Sequence, residues 1–327
     1  MLIVKRHHTN PYFNLAAEEY FLKETKEDIF MLWRNEPSII VGKHQNTLSE
    51  INIDYVKENN IRVVRRLTGG GAVFHDLGNL NFTFIQTDRD HTRNDFRKYT
   101  EPILEVLQKL GIDARFEGRN DLTIDGKKFS GNAEMVWKNR VLHHGTLLFS
   151  ATMTDLSQAL KVNEAKFQDK AVKSVRSRVT NISEHLHQPM DVMQFSERIQ
   201  EHITEMYPDA QLYDLTDEDQ LQIEELVRIK YSTWDWNFGN SPNYNFRKLV
   251  RTENSGTLEF CMDVKNGVIL QAHIYGDYFS HADPQEIESV LANIPHNEEA
   301  IRKAISPFGI GDYFGKLTVD EFVKGWF

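Results

Sequence analysis

The sequence predicts an α+β protein, in which a large region of mixed strands and helices precedes a small α+β unit. Segments with alternating apolar residues, typical of strands, lie between segments with helical periodicity. Two hairpin turns are indicated by Asp125–Gly126 and Asn266–Gly267. Residues 234–245, rich in Gly, Asn, Ser and Pro, predict a linker. We therefore expect one domain over residues 1–244 and an accessory domain over residues 245–327.

The amino-terminal part predicts helices alternating with strands. Asn14 is expected to cap a first helix, with Glu18 and Glu19 near its positive end. A second helix is predicted over residues 51–60. The Glu36–Pro37 dipeptide is expected to separate two strands. The strands predicted here have the sequences "DIFMLWR", "SIIVGK", "IRVVRR" and "LNFTFIQ".

The central part predicts a long helix, two hairpins and two further helices. Thr100 is expected to cap the long helix, and Gly111 to end it. The apolar residues of this helix fall on one face: Ile103, Val106, Leu107 and Leu110. Hairpins are predicted for "DLTIDGKKFSG" and for "VWKNRVLHHGTLLFS". The two further helices are expected to begin near Ser196 and Thr216.

The carboxy-terminal unit predicts a hairpin followed by two helices. Its strands are "TLEFCMDV" and "VILQAHIY", which alternate in polarity on either side of the Asn266–Gly267 turn. Asp283 and Pro284 indicate the start of one helix, and Asn297 the start of the next. This size suits a separate domain.

Composition excludes several classes of protein. The net charge of −10 argues against a broad nucleic-acid surface. A local basic pocket made by Arg62, Arg65 and Arg66 stays open. A lone cysteine, Cys261, allows no disulfide within the chain and fits a reducing cytoplasm. No secretory signal or long apolar span is evident, so we expect a cytoplasmic protein without a membrane partner.

The segment "RRLTGGGAVFHD", residues 65–76, places three glycines between two predicted strands. It matches neither the Walker loop nor the dinucleotide-binding fingerprint. Consecutive exposed amides form an anion-binding nest, and glycine permits close approach of a ligand. The segment therefore indicates a loop that surrounds a small anion, although a flexible surface turn is the alternative.

A second segment, "GRNDLTIDGKKFSGNA", places Lys128 just after a tight turn. A lysine is a compact charge suited to a phosphate or a carboxylate, although turn lysines are more often merely exposed. Asn120 and Asp121 are candidates for a nucleotide or Mg²⁺, or for a simple turn. His143 and His144 are adjacent on a strand and must face opposite ways, which is poor spacing for zinc.

Several segments, in this order along the chain, resemble the lipoate–protein ligase family. They are "NPYFNLAAEEY", "RRLTGGGAVFHDLGNLNFTF", "GRNDLTIDGKKFSGNA", "HHGTLLF", "KSVRSRVTNI" and "WDWNFGNSP". The resemblance implies a biotin/lipoate-ligase-type catalytic domain with mixed and antiparallel sheets and flanking helices. It also implies a small accessory domain, which would begin where the linker is expected.

The resemblance implies a two-step reaction. The carboxylate of lipoate attacks the α-phosphate of ATP, with Mg²⁺, and gives lipoyl-adenylate and pyrophosphate. A lysine ε-amine of a lipoyl domain then attacks the mixed anhydride. The implied partners are lipoyl domains of 2-oxoacid dehydrogenase acyltransferase subunits and the glycine-cleavage H protein, with no nucleic acid.

The resemblance also implies roles for individual residues. Lys128 matches the lysine that contacts both the lipoate carboxylate and the α-phosphate, and is the implied catalytic residue. Asp121 is implied as a ligand of Mg²⁺ through the nucleotide. Residues 174–178 match a loop that covers the adenylate. The implied nucleotide- and lipoate-binding residues are Arg66, Gly69, Gly70, Gly71, Ala72, Val73, Phe74, His75, Asp121, Lys128, His144, Ser174, Val175 and Arg178.

Three alternatives stay open from the sequence. The nearest is an ATP-independent octanoyl- or lipoyl-transferase of the same fold, which carries the acyl group on a cysteine. Biotin ligation is the second, and a non-catalytic binder is the third. The only thiol, Cys261, lies in the accessory unit, outside every segment assigned to the active site. The ligase interpretation is therefore favoured.

Overall fold

A computed structural model describes residues 1–5, 8–87, 95–152, 159–160, 179–239, 246–252, 255–265 and 267–327. Its strands are β1 (Leu2–Val4), β2 (Ile29–Trp33), β3 (Ser38–Val41), β4 (Arg62–Arg65), β5 (Val73–His75), β6 (Asn79–Thr87), β7 (Ala114–Glu117), β8 (Asp121–Ile124), β9 (Lys127–Trp137), β10 (Arg140–Leu148), β11 (Gln211–Tyr213), β12 (Phe246–Thr252), β13 (Gly256–Lys265) and β14 (Val268–Gly276). The architecture is α+β, as the sequence predicts.

The helices flank these strands on both sides. They are α1 (Pro11–Glu24), α2 (Thr47–Glu50), α3 (Ile53–Glu58), α4 (Phe96–Lys109), α5 (Val192–Met206), α6 (Asp217–Leu226), α7 (Trp234–Phe238), α8 (Pro284–Leu291), α9 (Glu298–Ile305), α10 (Ile310–Tyr313) and α11 (Val319–Lys324). A π-helical turn, Val227–Tyr231, continues α6. Within the described residues, no helix is long and apolar enough to cross a membrane.

Three sheets organise the described chain. The largest has the strand order β11-β1-β2-β6-β10-β9-β8-β7. In it β1 runs parallel to β2 and β11, and the remaining neighbours are antiparallel. A second sheet has the order β4-β3-β5, with β3 parallel to β4 and antiparallel to β5. The third, β12-β13-β14, is antiparallel and belongs to the carboxy-terminal unit.

Alternation along β2 produces two cores on opposite faces of the large sheet. Phe30 packs into a cluster with residues of α4 and α5, whereas Met31 and Trp33 pack into a cluster with α1 and α6. Successive side chains of a strand point to opposite faces, so a wholly apolar strand must be covered on both sides. The large sheet is therefore a layer between two sets of helices.

The carboxy-terminal unit, residues 246–327, has its own core. Strands β13 and β14 pack against α8, α9 and the last two short helices, and Trp326 is fully buried among them. The predicted hairpin and the helix starts at Asp283 and Asn297 are confirmed. The short helices α10 and α11 were not predicted. Residues 240–245 of the expected linker lie outside the described residues, whereas residues 234–238 form α7.

Three predicted helix starts are wrong, each because another residue caps the helix. Asn10, followed by Pro11, caps α1 one turn before Asn14. Asp95 caps α4, and the hydroxyl of Thr100 donates inside the helix to the carbonyl of Phe96. The third helix, predicted near Ser196, begins at residue 192 because its preceding aspartate forms a capping box. The predicted cap at residue 216 is confirmed.

Glu18 and Glu19 lie in the middle of α1 rather than near its positive end, and both are buried. Burial raises the pKa of Glu19, but hydrogen bonds from Lys23, Lys230 and Tyr231 outweigh burial, and the pKa is lowered overall. Glu19 therefore holds α1 against the helical turn that follows α6. Glu18 faces the opposite way, towards the large sheet.

The carboxy-terminal unit docks on the triglycine loop, residues 66–72. The amide of Gly70 donates to the carbonyl of Tyr278, at 3.4 Å, and Gly276 donates to the carbonyl of His44, at 3.0 Å. The rings of His44 and Tyr278 stack with centroids 4.7 Å apart. A Cβ at Gly69 would lie 2.2 Å from the carbonyl oxygen of Tyr278. The first glycine is therefore required for this contact between the two units.

We expect Gly69→Ala to weaken docking of the carboxy-terminal unit. The added methyl overlaps the Tyr278 carbonyl, and overpacking of this kind typically costs about 1–3 kcal/mol. Gly71→Ala is the matched control, because its Cβ would meet nothing closer than 3.9 Å. Thermal unfolding and amide hydrogen exchange at Gly276 measure the effect. Equal stability and equal exchange in the two variants would contradict the assignment.

Candidate active site

A cavity of about 330 Å³ lies between the large sheet, the triglycine loop and the carboxy-terminal unit. Its wall is apolar on one side and carries charged and amide side chains on the other. The residues that line it are Leu15, Trp33, Ile40, Arg66, Gly70, Gly71, Ala72, Val73, His75, Asn81, Arg119, Asn120, Asp121, Lys128, Gly131, Asn132, Ala133, His144, Gly145, Thr146 and Asp277. The volume and the divided lining suit a ligand with an aliphatic and an anionic part.

The triglycine loop closes around the guanidinium of Arg66. This group donates to the carbonyls of Ile40, Gly69 and Gly71 at 3.1, 2.7 and 2.8 Å, and its Nε donates to the Thr68 hydroxyl at 3.0 Å. Burial lowers the pKa of Arg66 to about 10, so the group stays charged at neutral pH. The loop is therefore folded around a buried positive charge, to which its carbonyls are hydrogen-bonded.

The conformation of the loop depends on its second glycine. Gly70 has φ of +91°, in the region that side-chain-bearing residues rarely adopt. With Gly70 in this conformation, the loop carries its carbonyls towards Arg66. Residues 66–70 are buried, and the carbonyls of Gly69 and Gly71 are hydrogen-bonded to Arg66. This excludes the alternative of a flexible surface turn for this segment.

A chain of buried hydrogen bonds connects the loop with the apolar wall. Nε2 of His144 lies 2.8 Å from the hydroxyl of Thr68, and Nδ1 lies 2.9 Å from the carboxylate of Glu18. The hydroxyl of Thr83 donates to Glu18 at 2.7 Å, and the indole of Trp33 donates to Thr83 at 2.8 Å. The ring of Trp33 and the triglycine loop are consequently held by one continuous network.

Lys128 lines the cavity beside Asp121. Its Nζ is 2.7 Å from a carboxylate oxygen of Asp121, and both side chains are about two-fifths exposed (41% and 38%). The register of β8 and β9 shifts between Leu122 and Thr123, which accommodates Phe129 as an additional residue. Phe129 is fully buried in the core, and Lys128 beside it reaches the cavity.

His75 and His144 line the cavity, whereas His143 does not. The ring of His143 lies on the other face of β10, stacked on Tyr99 with centroids 4.8 Å apart. This confirms that the adjacent histidines face opposite ways. Burial, together with the positive charge of Arg66, lowers the pKa of His75 to about 3. His75 is therefore neutral at physiological pH.

Most of the residues implied by the resemblance line this cavity. Two described residues of that set, Gly69 and Phe74, do not. Gly69 packs on the carboxy-terminal unit. Phe74 points away from the cavity, as alternation along β5 requires, into an apolar cluster with Ile39 and Val63. Ser174, Val175 and Arg178 lie outside the described residues. Those that line the cavity are Arg66, Gly70, Gly71, Ala72, Val73, His75, Asp121, Lys128 and His144.

The basic pocket of three arginines is not formed. Arg62 pairs with Glu36 at the surface. Arg65 is buried on the other side of its strand, where it donates to the carbonyls of Gly42 and Gln45. Burial lowers the pKa of Arg65 to about 10. Adjacent residues of β4 and of the loop after it face opposite ways, so Arg66 alone of the three reaches the cavity.

Several cavity residues were missed by the sequence analysis. Arg119 donates to the carbonyl of Asp277 at 3.3 Å and lies 4.7 Å from the centroid of the Phe279 ring. Burial lowers the pKa of Arg119, and Asp277 and Asp121 oppose this. The quoted segment "GRND" was the available signal for this arginine. Nothing in the sequence pattern indicated that Asp277 of the carboxy-terminal unit completes the wall.

Among the residues that the structure describes, no group of three or more His, Cys, Asp or Glu side chains is placed to hold a metal ion. Asp121 and Asp277 are the acidic residues of the cavity wall. A carboxylate oxygen of Asp277 already accepts the amide of Thr257, at 2.6 Å. Because Mg²⁺ is usually held by one or two carboxylates together with substrate phosphates, Asp121 fits this ion when a nucleotide is present.

Two family models match the chain. Residues 10–204 match the lipoyl protein ligase A/B catalytic domain, and residues 241–325 match the bacterial lipoate protein ligase C-terminus. The chain is 44% identical over 320 residues to lipoate–protein ligase 1 of Staphylococcus aureus, covering 97% of this chain and 96% of the relative. It is 41% identical to lipoate-protein ligase LplJ of Bacillus subtilis, with 99% of each chain covered.

Solved structures give the same result. LipL1 of P. falciparum, in complex with lipoate, has a TM-score of 0.77 and 28% identity, covering 94% of both chains. A bipartite lipoate protein ligase of Thermoplasma acidophilum, studied with its E2 lipoyl domain, has a TM-score of 0.67 and 31% identity, covering 75% of this chain and 98% of that chain. Lipoate-protein ligase A bound with ATP has a TM-score of 0.65 and 28% identity, covering 73% and 98%. The chain therefore belongs to the lipoate–protein ligase family, and it is a ligase enzyme.

Proposed function

We propose that this ligase activates free lipoate with ATP and transfers the lipoyl group, through lipoyl-adenylate, to a lysine of a lipoyl domain. The observation that carries the proposal is that Lys128, an apolar group of side chains and the triglycine loop line the same cavity. The relatives support it: LipL1 of P. falciparum is in complex with lipoate, and lipoate-protein ligase A is bound with ATP. We place the catalytic domain at residues 1–244 and the accessory domain at residues 245–327.

The apolar side chains of the lining match the aliphatic chain of lipoate, and the polar groups match the reacting anions of lipoate and ATP. Leu15, Trp33, Ile40 and Val73 form an apolar wall for the aliphatic chain. The loop amides after Gly70, together with Lys128, suit the carboxylate and the α-phosphate. The buried network through Glu18 and His144 holds the ring of Trp33 and the triglycine loop in place relative to each other. Positioning of this kind lowers the entropic part of the barrier to a reaction between two bound molecules.

Adenylation requires one anion to attack another. Lys128 is paired with Asp121. Binding of the carboxylate and the α-phosphate offers Lys128 two stronger partners, and its charge then offsets the negative charge that accumulates in the transition state. Asp121, released from Lys128, would hold Mg²⁺ together with the phosphates, and the ion would offset part of their negative charge. The bond formed joins the lipoate oxygen to phosphorus, and pyrophosphate leaves.

Transfer consumes the adenylate. The ε-amine of a lysine attacks the carbonyl carbon of the mixed anhydride, an amide forms, and AMP leaves with the bonding electrons. We assign lipoyl domains of 2-oxoacid dehydrogenase acyltransferase subunits, and the glycine-cleavage H protein, as acceptors. The Thermoplasma acidophilum ligase, studied with its E2 lipoyl domain, supports this class of partner. The reaction takes place in the cytoplasm under this proposal, where free thiols persist.

Pyrophosphate release is the direct test of this function. The full-length protein is incubated with lipoate, ATP and Mg²⁺ in the absence of an acceptor, and pyrophosphate is measured in a single turnover. Release that depends on lipoate supports adenylation. Lipoylation of an added lipoyl domain without ATP, or no release of pyrophosphate, would contradict the proposal.

We expect Lys128→Ala to slow adenylation by about 10²–10³-fold, because one preorganised charge at the reacting oxygens is lost. Lys127→Ala is the matched control, since Lys127 is exposed in the same strand and does not line the cavity. Single-turnover pyrophosphate release compares the two variants. A rate in folded Lys128→Ala equal to that in Lys127→Ala would rule out this role.

Arg66→Lys is expected to weaken ATP binding although the charge is kept. A lysine cannot donate simultaneously to the carbonyls of Gly69, Gly71 and Ile40, so the loop loses its shape. Each buried hydrogen bond to a charged group contributes about 1.5–3 kcal/mol, and the variant is expected to unfold at lower temperature as well. Calorimetric titration with ATP and thermal unfolding measure the two effects. Unchanged ATP affinity would show that the guanidinium of Arg66 does not maintain the conformation of the loop.

Cys261→Ser distinguishes ligation from acyl transfer through a thiol. Cys261 is fully buried in β13, and burial raises its pKa to about 12, so it carries no thiolate at neutral pH. We expect the variant to ligate lipoate at the wild-type rate, with strict dependence on ATP. Mass spectrometry of the trapped wild-type protein is the second measurement. An acylated Cys261, or a folded but inactive variant, would favour the transferase.

A further inference from the structure

We propose that His75 binds substrate as a neutral hydrogen-bond donor through Nε2, and that Asn35 is the positioning residue that fixes this tautomer. The identity of the substrate rests on the proposed function, whereas the assignment of the tautomer rests on the hydrogen bonds of the ligand-free enzyme. The inference follows from a relay of three buried side chains: Asn14, Asn35 and His75.

The first step fixes the orientation of the Asn14 amide. Its Nδ2 lies 3.1 Å from the carbonyl oxygen of His8 and 2.9 Å from that of Arg34. Backbone carbonyls only accept hydrogen bonds, so the side-chain atom that faces them must be the nitrogen. The same nitrogen lies 2.9 Å from Oδ1 of Asn35. The two N–H groups are shared among these three oxygens, and a nitrogen of Asn35 at this position would bring two donors together, so Asn35 presents its oxygen to Asn14.

The second step transfers this constraint to the histidine. Because the oxygen of Asn35 faces Asn14, its other terminal atom is the amide nitrogen. That Nδ2 lies 3.1 Å from Nδ1 of His75. An amide N–H donates, so Nδ1 of His75 must accept and carries no proton. Asn35 is fully buried, so no water competes for either of its ends.

The third step places the proton. His75 is neutral, because burial and the nearby charge of Arg66 hold its pKa at about 3. A neutral imidazole has one N–H, and with Nδ1 accepting, that N–H is on Nε2. Nδ1 is occupied by Asn35, and Nε2 has no lone pair to offer. His75 is accordingly neither a general base nor a nucleophile in this tautomer.

The fourth step concerns the partner of Nε2–H. In the part of the chain that the structure describes, Nε2 of His75 is buried and has no hydrogen-bond partner. Buried donors are almost always paired, and His75 lines the cavity. The missing acceptor is therefore supplied by the ligand. An anionic oxygen is the matching chemistry, and both the lipoate carboxylate and an ATP phosphate offer one.

Nitrogen NMR on the protein labelled at its histidines tests the tautomer directly. The resonances of His75 are identified by their loss in His75→Gln. We expect the neutral Nε2–H pattern, unchanged between pH 5 and pH 8. The resonance of the Nε2 proton should shift on addition of lipoate alone or of ATP alone. The ligand that shifts it is the one that supplies the acceptor. An Nδ1–H pattern, titration in this range, or no movement with both ligands together would overturn the proposal.

Two variants of His75 separate a donor from an acid–base residue. His75→Leu removes the donor and is expected to raise KM for the substrate that supplies the oxygen about 10- to 100-fold, with a smaller change in kcat. His75→Gln keeps an N–H near the position of Nε2 and is expected to recover most of that affinity. An equal rise in KM in the two folded variants would overturn the donor role. Pyrophosphate release by the wild-type enzyme, measured alongside, shows whether the proposed function itself has failed.

The role of Asn35 has its own measurement. Asn35→Asp is nearly isosteric but can only accept, so Nδ1 of His75 must become protonated and its nitrogen resonances must change. A folded Asn35→Asp protein that keeps the wild-type Nε2–H pattern would show that Asn35 does not fix the tautomer. If this variant does not fold, the wild-type spectrum decides. The relay requires a scalar coupling across the hydrogen bond from Nδ2 of Asn35 to Nδ1 of His75, and absence of that coupling would contradict it.

Discussion

The buried guanidinium of Arg66 is the constraint on which the site depends. Burying an isolated charge is very unfavourable, and here it is compensated by backbone carbonyls and a hydroxyl instead of by an adjacent carboxylate. Because Arg66 donors are planar and fixed in direction, the loop carbonyls must arrange themselves around it. The carbonyls of Gly69 and Gly71 are thereby turned towards the guanidinium. The network through Thr68, His144 and Glu18 extends the same constraint to the apolar wall.

Local patterns in the sequence were sufficient where one residue determines the geometry. Asp125 and Gly126 both have positive φ, as a two-residue hairpin requires, and the predicted turn is present. Thr216 and Asn297 cap the helices expected of them. The prediction failed where two polar residues competed for one cap, as with Asn10 and Asn14. Only the three-dimensional structure shows that Asn14 is needed elsewhere, because its partners are 6 to 21 residues distant.

The site was predictable to the extent that it lies within continuous motifs. Lys128, Asp121 and the triglycine loop were found because each belongs to a quoted segment. The three arginines preceding the loop look alike in sequence, yet each has a different environment, since their side chains leave the backbone on different sides. Asp277 was not found because it reaches the cavity only through docking of a separately folded unit. Long-range packing of this kind leaves no periodic signal in the sequence.

The close packing of Tyr278 on Gly69 and Gly70 has a thermodynamic consequence for the enzyme. Gly70 belongs both to the wall of the cavity and to the docking surface of the carboxy-terminal unit, and Gly69 precedes it on the docking surface. A ligand that favours one arrangement of this backbone must therefore shift the docking equilibrium. Linkage makes the effect reciprocal: docking changes the affinity for that ligand by the same factor. Occupancy of the cavity would in this way be reported by the stability of the docked carboxy-terminal unit.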